Sequence, residues 1–219
     1  MRLLYVVLAV TLVCLVAAVG VLVAAHPGAT GRTTATTTSG GLLGPIAPTS
    51  MPAIDFALRD QSGKLIRLGA YSGRVVLLAF VYSTCTNSCP VIAETLRGTL
   101  GELARRVPTI AISVDPEQDT PAHVRAFLAR WGLSGDVDYL AGPRRALAPI
   151  WRLFGIQPQS AENARSGNFT VDVELLDKTG KPRVGYAGLN ALDPDAIAHD
   201  IRTLEAEPAP AHPARRVEF

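Results

Sequence analysis

Arg74-Val75-Val76-Leu77-Leu78-Ala79-Phe80-Val81-Tyr82-Ser83-Thr84-Cys85-Thr86-Asn87-Ser88-Cys89-Pro90 is the stretch that decides the fold. Val75 to Val81 is continuously apolar, rich in β-branched residues and bounded by turns, which predicts a central strand buried on both faces. Cys85 follows that strand directly. From Pro90 to Arg105, Ile92, Leu96, Leu100 and Leu103 recur at helical spacing. Pro90 suits the first helical turn, where its missing N–H costs nothing. The two cysteines therefore stand where a buried strand hands over to a helix.

Outward from this junction the pattern continues as alternating elements. Phe56 to Leu58 and Leu65 to Leu68 flank Asp60-Gln61-Ser62-Gly63, a hairpin turn. Thr109 to Val114 predicts a second buried strand. Asp119-Thr120-Pro121 opens a helix that runs through Trp131 to a stop at Gly132, with Asp119 or Thr120 as its cap. Ala146 to Phe154 reads as a further helix ended by Gly155. Thr170 to Leu176 and Arg183 to Tyr186 bracket a second hairpin, and Pro194 to Glu205 is a closing helix. Asp115-Pro116 reads as a turn, and Trp131 and Trp151 as core residues on apolar helical faces. The fold class predicted is α/β: a thioredoxin-like sandwich with a central mixed sheet flanked by helices.

The flanks differ in kind from this core. Leu3 to Ala25 contains no charged residue. As a helix those residues would reach roughly 34 Å, enough to cross a bilayer, and they are longer than the ~7–15-residue apolar region of a secretory signal. Residues 1–26 are therefore expected to be an N-terminal transmembrane anchor, with a cleaved signal as the alternative. Arg2 before the helix favours an inside N-terminus, with the soluble domain on the extracytoplasmic side of the cell membrane. Cys14 inside the apolar run reads as a buried apolar residue. Residues 27–52, rich in Gly, Pro, Ser and Thr, read as a flexible linker. The domain is expected over 53–206 and a disordered tail over 207–219.

The chain has 219 residues, a net charge of +2 and a charged fraction of 18%, with no concentrated basic face, which argues against a nucleic-acid partner. Its chemistry concentrates in Cys85 and Cys89. At the start of a helix, unpaired backbone N–H groups turn partial positive charge toward the thiols and favour the thiolate. Residues i and i+4 of a helix have Cα atoms about 6 Å apart, within reach of a disulfide. The same pair can grip one soft ion such as Cu(I). Spacing alone does not choose between these roles, and the bland alternative is two inert core cysteines. A zinc site lacks the second Cys pair or paired His that would complete four ligands.

Tyr82-Ser83-Thr84-Cys85 through Cys89-Pro90, with Ser113-Val114-Asp115-Pro116-Glu117 and Asp119-Thr120-Pro121, resembles the Sco/SenC family. The resemblance covers roughly residues 54–205. It implies a membrane-anchored, thioredoxin-fold, copper-binding protein of cytochrome c oxidase assembly, with Cys85 and Cys89 as both copper thiolates and a redox-active pair. It further implies as partner a copper-receiving or disulfide-containing exported protein, such as an oxidase subunit. The family's third ligand is a histidine before the strand ending at Leu175-Leu176-Asp177. Here the matching position is Phe169, or its neighbour Asn168, and no histidine lies between His123 and His199. Phenylalanine cannot bind copper, and methionine does not rescue the site, since only Met1 and Met51 exist; two-thiolate Cu(I) is the form left open. His123 and His199 read as helix-surface residues, and His26 and His212 fall in the linker and tail. Two functions follow: copper delivery or thiol reduction for oxidase assembly, and a general extracytoplasmic thiol–disulfide oxidoreductase without copper. A peroxidase is disfavoured because Tyr82 stands where that chemistry wants a Thr, and a binding module without chemistry would require both thiols to be inert.

Overall fold

The computed structural model describes residues 41–85, 88–104, 107–160, 172–208 and 216–219. The expected anchor over 1–26, most of the linker, Phe169 and Asn168 lie outside the described residues. Among the described residues no helix is long and apolar enough to cross a membrane.

In chain order the elements are β1 (Ala53–Asp55), β2 (Ala57–Arg59), β3 (Leu65–Arg67), β4 (Val76–Val81), α1 (Cys89–Glu102), β5 (Thr109–Ser113), α2 (Pro121–Arg130) and β6 (Val137–Leu140). They continue as α3 (Arg144–Phe154), β7 (Asp172–Leu176), β8 (Pro182–Ala187), α4 (Pro194–Ala206) and β9 (Arg216–Glu218). The main sheet runs β6-β5-β4-β7-β8. Strands β4, β5 and β6 are parallel, whereas β7 is antiparallel to β4 and β8 antiparallel to β7.

The predicted central strand is β4, and every residue in it is buried. Its side chains alternate between two cores. Leu77, Ala79 and Val81 face α1, α2 and α4 through Leu96, Phe127 and Ile201. Val76, Leu78 and Phe80 face α3 and the β2–β3 hairpin through Ile150, Trp151 and Leu58. Covering on both faces is why the strand reads as an unbroken apolar run.

The hairpin at Asp60 forms as expected, with Asp60 Oδ1 accepting from the Ser62 and Lys64 backbone N–H groups. Helix α1 stops at Glu102, short of the expected Arg105. There the Leu103 N–H turns back to the Thr99 and Gly101 carbonyls, and Ala104 enters the left-handed region at φ +48. Gly155 closes α3 at φ +65, as its position suggests.

The ends of the packed body depart from the composition-based boundaries. Leu42, expected in the linker, is buried, and the Leu43 and Gly44 N–H groups donate to the Asp200 carboxylate at 2.7 and 2.9 Å. At the other end, Arg216–Glu218 of the expected tail is a strand, paired in parallel with β1. Both departures have one cause: these short segments are ordered by partners far away in sequence, which local composition does not register.

Candidate functional site

The site is built where β4 ends. The Cys85 N–H turns back to the Tyr82 carbonyl at 3.3 Å, and α1 starts at Cys89 with Pro90 in its first turn. The first helical N–H, on Cys89, has no carbonyl to meet and donates instead to Cys85 Sγ at 3.1 Å. Ser88 Oγ lies 3.5 Å from the same sulfur. Both cysteines are unbridged and buried, Cys85 at 9% exposure and Cys89 at 0%.

These contacts make the two thiols unequal. The hydrogen bond from the Cys89 thiol outweighs burial and, with those from Ser88, the Cys89 N–H and Tyr82, brings the Cys85 pKa down to about 5. Cys89 is pushed strongly upward, first by donating to Cys85 and then by burial. The proton of the pair therefore rests on Cys89, and Cys85, the less buried of the two, carries the thiolate. Burial, and then the hydrogen bond to Cys85, push the Tyr82 hydroxyl above its ordinary value.

Asp119 supports the thiol loop through contacts that the sequence concealed. The cap of α2 is Thr120, whose Oγ1 accepts from the His123 N–H. Asp119 instead reaches across to the thiol loop. Its Oδ1 accepts from the Ser83 N–H and hydroxyl at 2.7 and 2.6 Å, and its Oδ2 from Ser113 and Tyr139 at 2.5 and 2.7 Å. The loop before Cys85 is thereby tied to the ends of β5 and β6. The only local hint was a Ser six residues before the Asp, across the turn at Asp115. That turn forms as expected, with the Asp115 carbonyl accepting from the Gln118 and Asp119 N–H groups.

The other expected positions sort cleanly. His199 is exposed on α4 and contacts Asp200. His123 is also exposed, with Nδ1–H donating to the Gln118 carbonyl at 2.8 Å, and it lines a cleft beside Cys85. Trp151 is core and donates Nε1–H to the Ser113 carbonyl, whereas Trp131 is only half-buried and forms a wall of that cleft. Among the described residues no group of three or more His, Cys, Asp or Glu side chains is arranged to hold a metal ion. The described donor set at the site is the thiol pair alone.

Strand, thiol loop and helix arranged in this order define an α/β thiol protein of thioredoxin-like architecture. The family model SCO1/SenC matches residues 47–206, and the chain belongs to that family. The SCO1 protein homolog of Bacillus subtilis (strain 168) is 31% identical over 154 residues, spanning 68% of this chain and 80% of that protein. The fold is shared with BsSco, a member of the Sco family of cytochrome c oxidase assembly proteins in which a disulfide switch has been identified. That likeness has a TM-score of 0.60 at 24% identity and covers 73% of this chain and 96% of that one. ScoI of Bradyrhizobium japonicum, solved with copper bound, is similar with a TM-score of 0.52 at 28% identity, over 69% of this chain and 98% of that one.

Proposed function

We propose that this chain is a membrane-anchored Sco-type assembly factor whose Cys85–Cys89 pair handles Cu(I) and reduces a disulfide of an exported partner in cytochrome c oxidase assembly. The observation that carries this reading is the double donation from Cys89, through its backbone N–H and its thiol, onto a single sulfur of Cys85. A helix N-terminus that concentrates donors on one sulfur suits a thiolate more than inert filler. The apolar run from Leu3 to Ala25 supports the anchor.

In the reductive step the Cys85 thiolate attacks one sulfur of the partner's disulfide. That S–S bond breaks, and the other partner sulfur leaves as a thiolate and takes a proton from solvent. Cys89 then gives up its proton and attacks Cys85, so the second partner sulfur departs. Two electrons have passed to the partner, now a dithiol, and the chain holds a Cys85–Cys89 disulfide until an external dithiol reduces it. As copper ligands, the Cys85 thiolate and Cys89, on losing its proton, would bind Cu(I) through two soft sulfurs. A general thiol–disulfide oxidoreductase is the second reading, favoured by the absence of a third ligand among the described residues.

The test is competition for Cu(I) between the reduced full chain and a chromophoric chelator, beside the Cys85→Ser/Cys89→Ser variant. Tight one-to-one binding that disappears in the variant is expected. Weak or non-stoichiometric binding in the wild type would remove copper and leave the oxidoreductase. Normal oxidase assembly in cells carrying only the double variant would remove both.

A further inference from the structure

Beside Cys85 lies a cleft of about 260 Å³, bounded by Cys85, Pro90, His123, Phe127, Arg130 and Trp131. It is smaller than the ~300–1,000 Å³ of typical small-molecule sites, which suits one or two side chains of a docked protein better than a free metabolite. Its composition is one-sided. Among the described residues that line it none is Asp or Glu, while Arg130 and His123 both stand on its wall. Phe127 and Trp131 supply an apolar part of the same lining.

Arg130 is held in a particular way. Its guanidinium carbon lies 5.6 Å from the centroid of the Trp131 ring. Stacking on an aromatic face leaves the in-plane N–H donors of a guanidinium free for a carboxylate. Arg130 is exposed and has no carboxylate partner among the described residues, unlike Arg183, which pairs with Glu207 at 2.7 Å. A preorganised cation with no carboxylate partner among the described residues thus stands over an aromatic wall in the cleft that Cys85 lines.

We infer that this cleft docks the segment of the partner that flanks its reacting cysteine, and that Arg130 selects a segment with an acidic side chain one or two residues away. This rests on the reading of Cys85 as the attacking thiol. Charge complementarity fixes the occupant as an acidic protein segment, and Phe127 and Trp131 hold the apolar part of the same chain. Arg130 is here a specificity residue and touches none of the reacting atoms.

The experiment uses the reduced full chain and two peptide disulfides identical except for Glu or Lys two positions from the cysteine. Exchange rates are measured for wild type, Arg130→Lys and Arg130→Glu, at low salt and at about 1 M salt. The wild type should favour the Glu peptide by about fivefold, the upper range for one exposed charge pair. Arg130→Lys should keep part of that preference and Arg130→Glu should invert it, and high salt should erase it. Equal rates in the wild type, or a preference that survives Arg130→Glu, would overturn the inference. Two controls separate its failure from that of the thiol reading. A small neutral disulfide, 4,4′-dithiodipyridine, reports thiol exchange alone, and an inert wild type would sink the thiol reading. Fluorescence anisotropy of labelled peptides with Ser in place of Cys reports the cleft alone: tighter binding of the Glu form upholds it, and equal binding overturns it.

Discussion

The C-terminal half of β4 has buried carboxyl groups on both sides, and they live in opposite conditions. Toward β5 and β6, Asp119 is 4% exposed and receives hydrogen bonds from two groups of Ser83, from Ser113 and from Tyr139. On β7, Asp172 and Glu174 are as deeply buried, yet Asp172 Oδ1 and Glu174 Oε2 have no hydrogen-bond partner among the described residues. Burial raises the Asp172 pKa to about 6, and burial with the added charge of Asp172 raises that of Glu174 to about 8. Gly185 leaves room for the Glu174 carboxyl: a Cβ there would lie 2.7 Å from Oε1, and the carboxyl would have to shift. A buried acid with its donors organises the loop next to it, and one without them becomes a titratable weak point.

The sharpest way to break this contrast is to remove the satisfied group. Asp119→Ala would leave the Ser83 N–H and the buried Ser113 hydroxyl without acceptors, while the Tyr139 hydroxyl keeps the Val81 carbonyl at 3.2 Å. Denaturant unfolding of the full chain should show a loss of about 3–4 kcal/mol, from two stranded donors and a lost charged acceptor. The tether of the thiol loop goes with it, so alkylation of Cys85 should slow as well. A loss below about 1 kcal/mol would mean that water replaces Asp119 and that it organises nothing.

The unsatisfied pair should reveal itself through pH. Glu174 keeps its proton in the folded chain up to about pH 8, whereas an unfolded glutamate loses it near pH 4.3. Between those values the native state binds more protons than the unfolded one, so stability must fall as pH rises. The contribution is complete below the unfolded pKa and is lost on passing through about 8. From pH 5 to 7 this loss is on the order of 2 kcal/mol, or a Tm decrease of about 6 °C. Glu174→Gln is neutral throughout and should flatten most of that slope. An unchanged slope in the variant would show that Glu174 is not the group titrating.

How much of this was visible in the sequence follows the range of each interaction. The β4 run and the helical spacing of Ile92, Leu96 and Leu100 are local and lie where periodicity puts them, whereas of the two cysteines only Cys89 is in the helix, with Cys85 before it. Strand β6 has only four residues and takes its identity from pairing with β5, so no local pattern announced it. Of the two cap candidates Thr120 is the cap, and the other role of Asp119 was hidden for a similar reason. Next to Thr120 and Pro121 it has the local look of a helix cap, while its true partners Ser83 and Tyr139 stand 36 and 20 residues away. The cleft combines the end of α2 with the thiol loop, and neither stretch suggests the other. The pairing of β9 with β1 is equally non-local.

A third buried acid, Asp200, refines the contrast. It is 0% exposed, yet it accepts from Leu43 N–H, Gly44 N–H and the Tyr186 hydroxyl, the last at 2.6 Å, with His199 Nδ1 at 3.1 Å. If organisation follows donors rather than burial, Asp200 should behave like Asp119 on a smaller scale, fixing the segment that enters the domain from the N-terminal side. Tyr186→Phe removes one donor and leaves two backbone N–H groups in place. The expected cost is about 1 kcal/mol, with faster amide exchange at Leu43 and Gly44 than in the wild type. Unchanged exchange there would show that the two backbone donors suffice. The degree of organisation would then depend on which donors reach the carboxylate and not on their number.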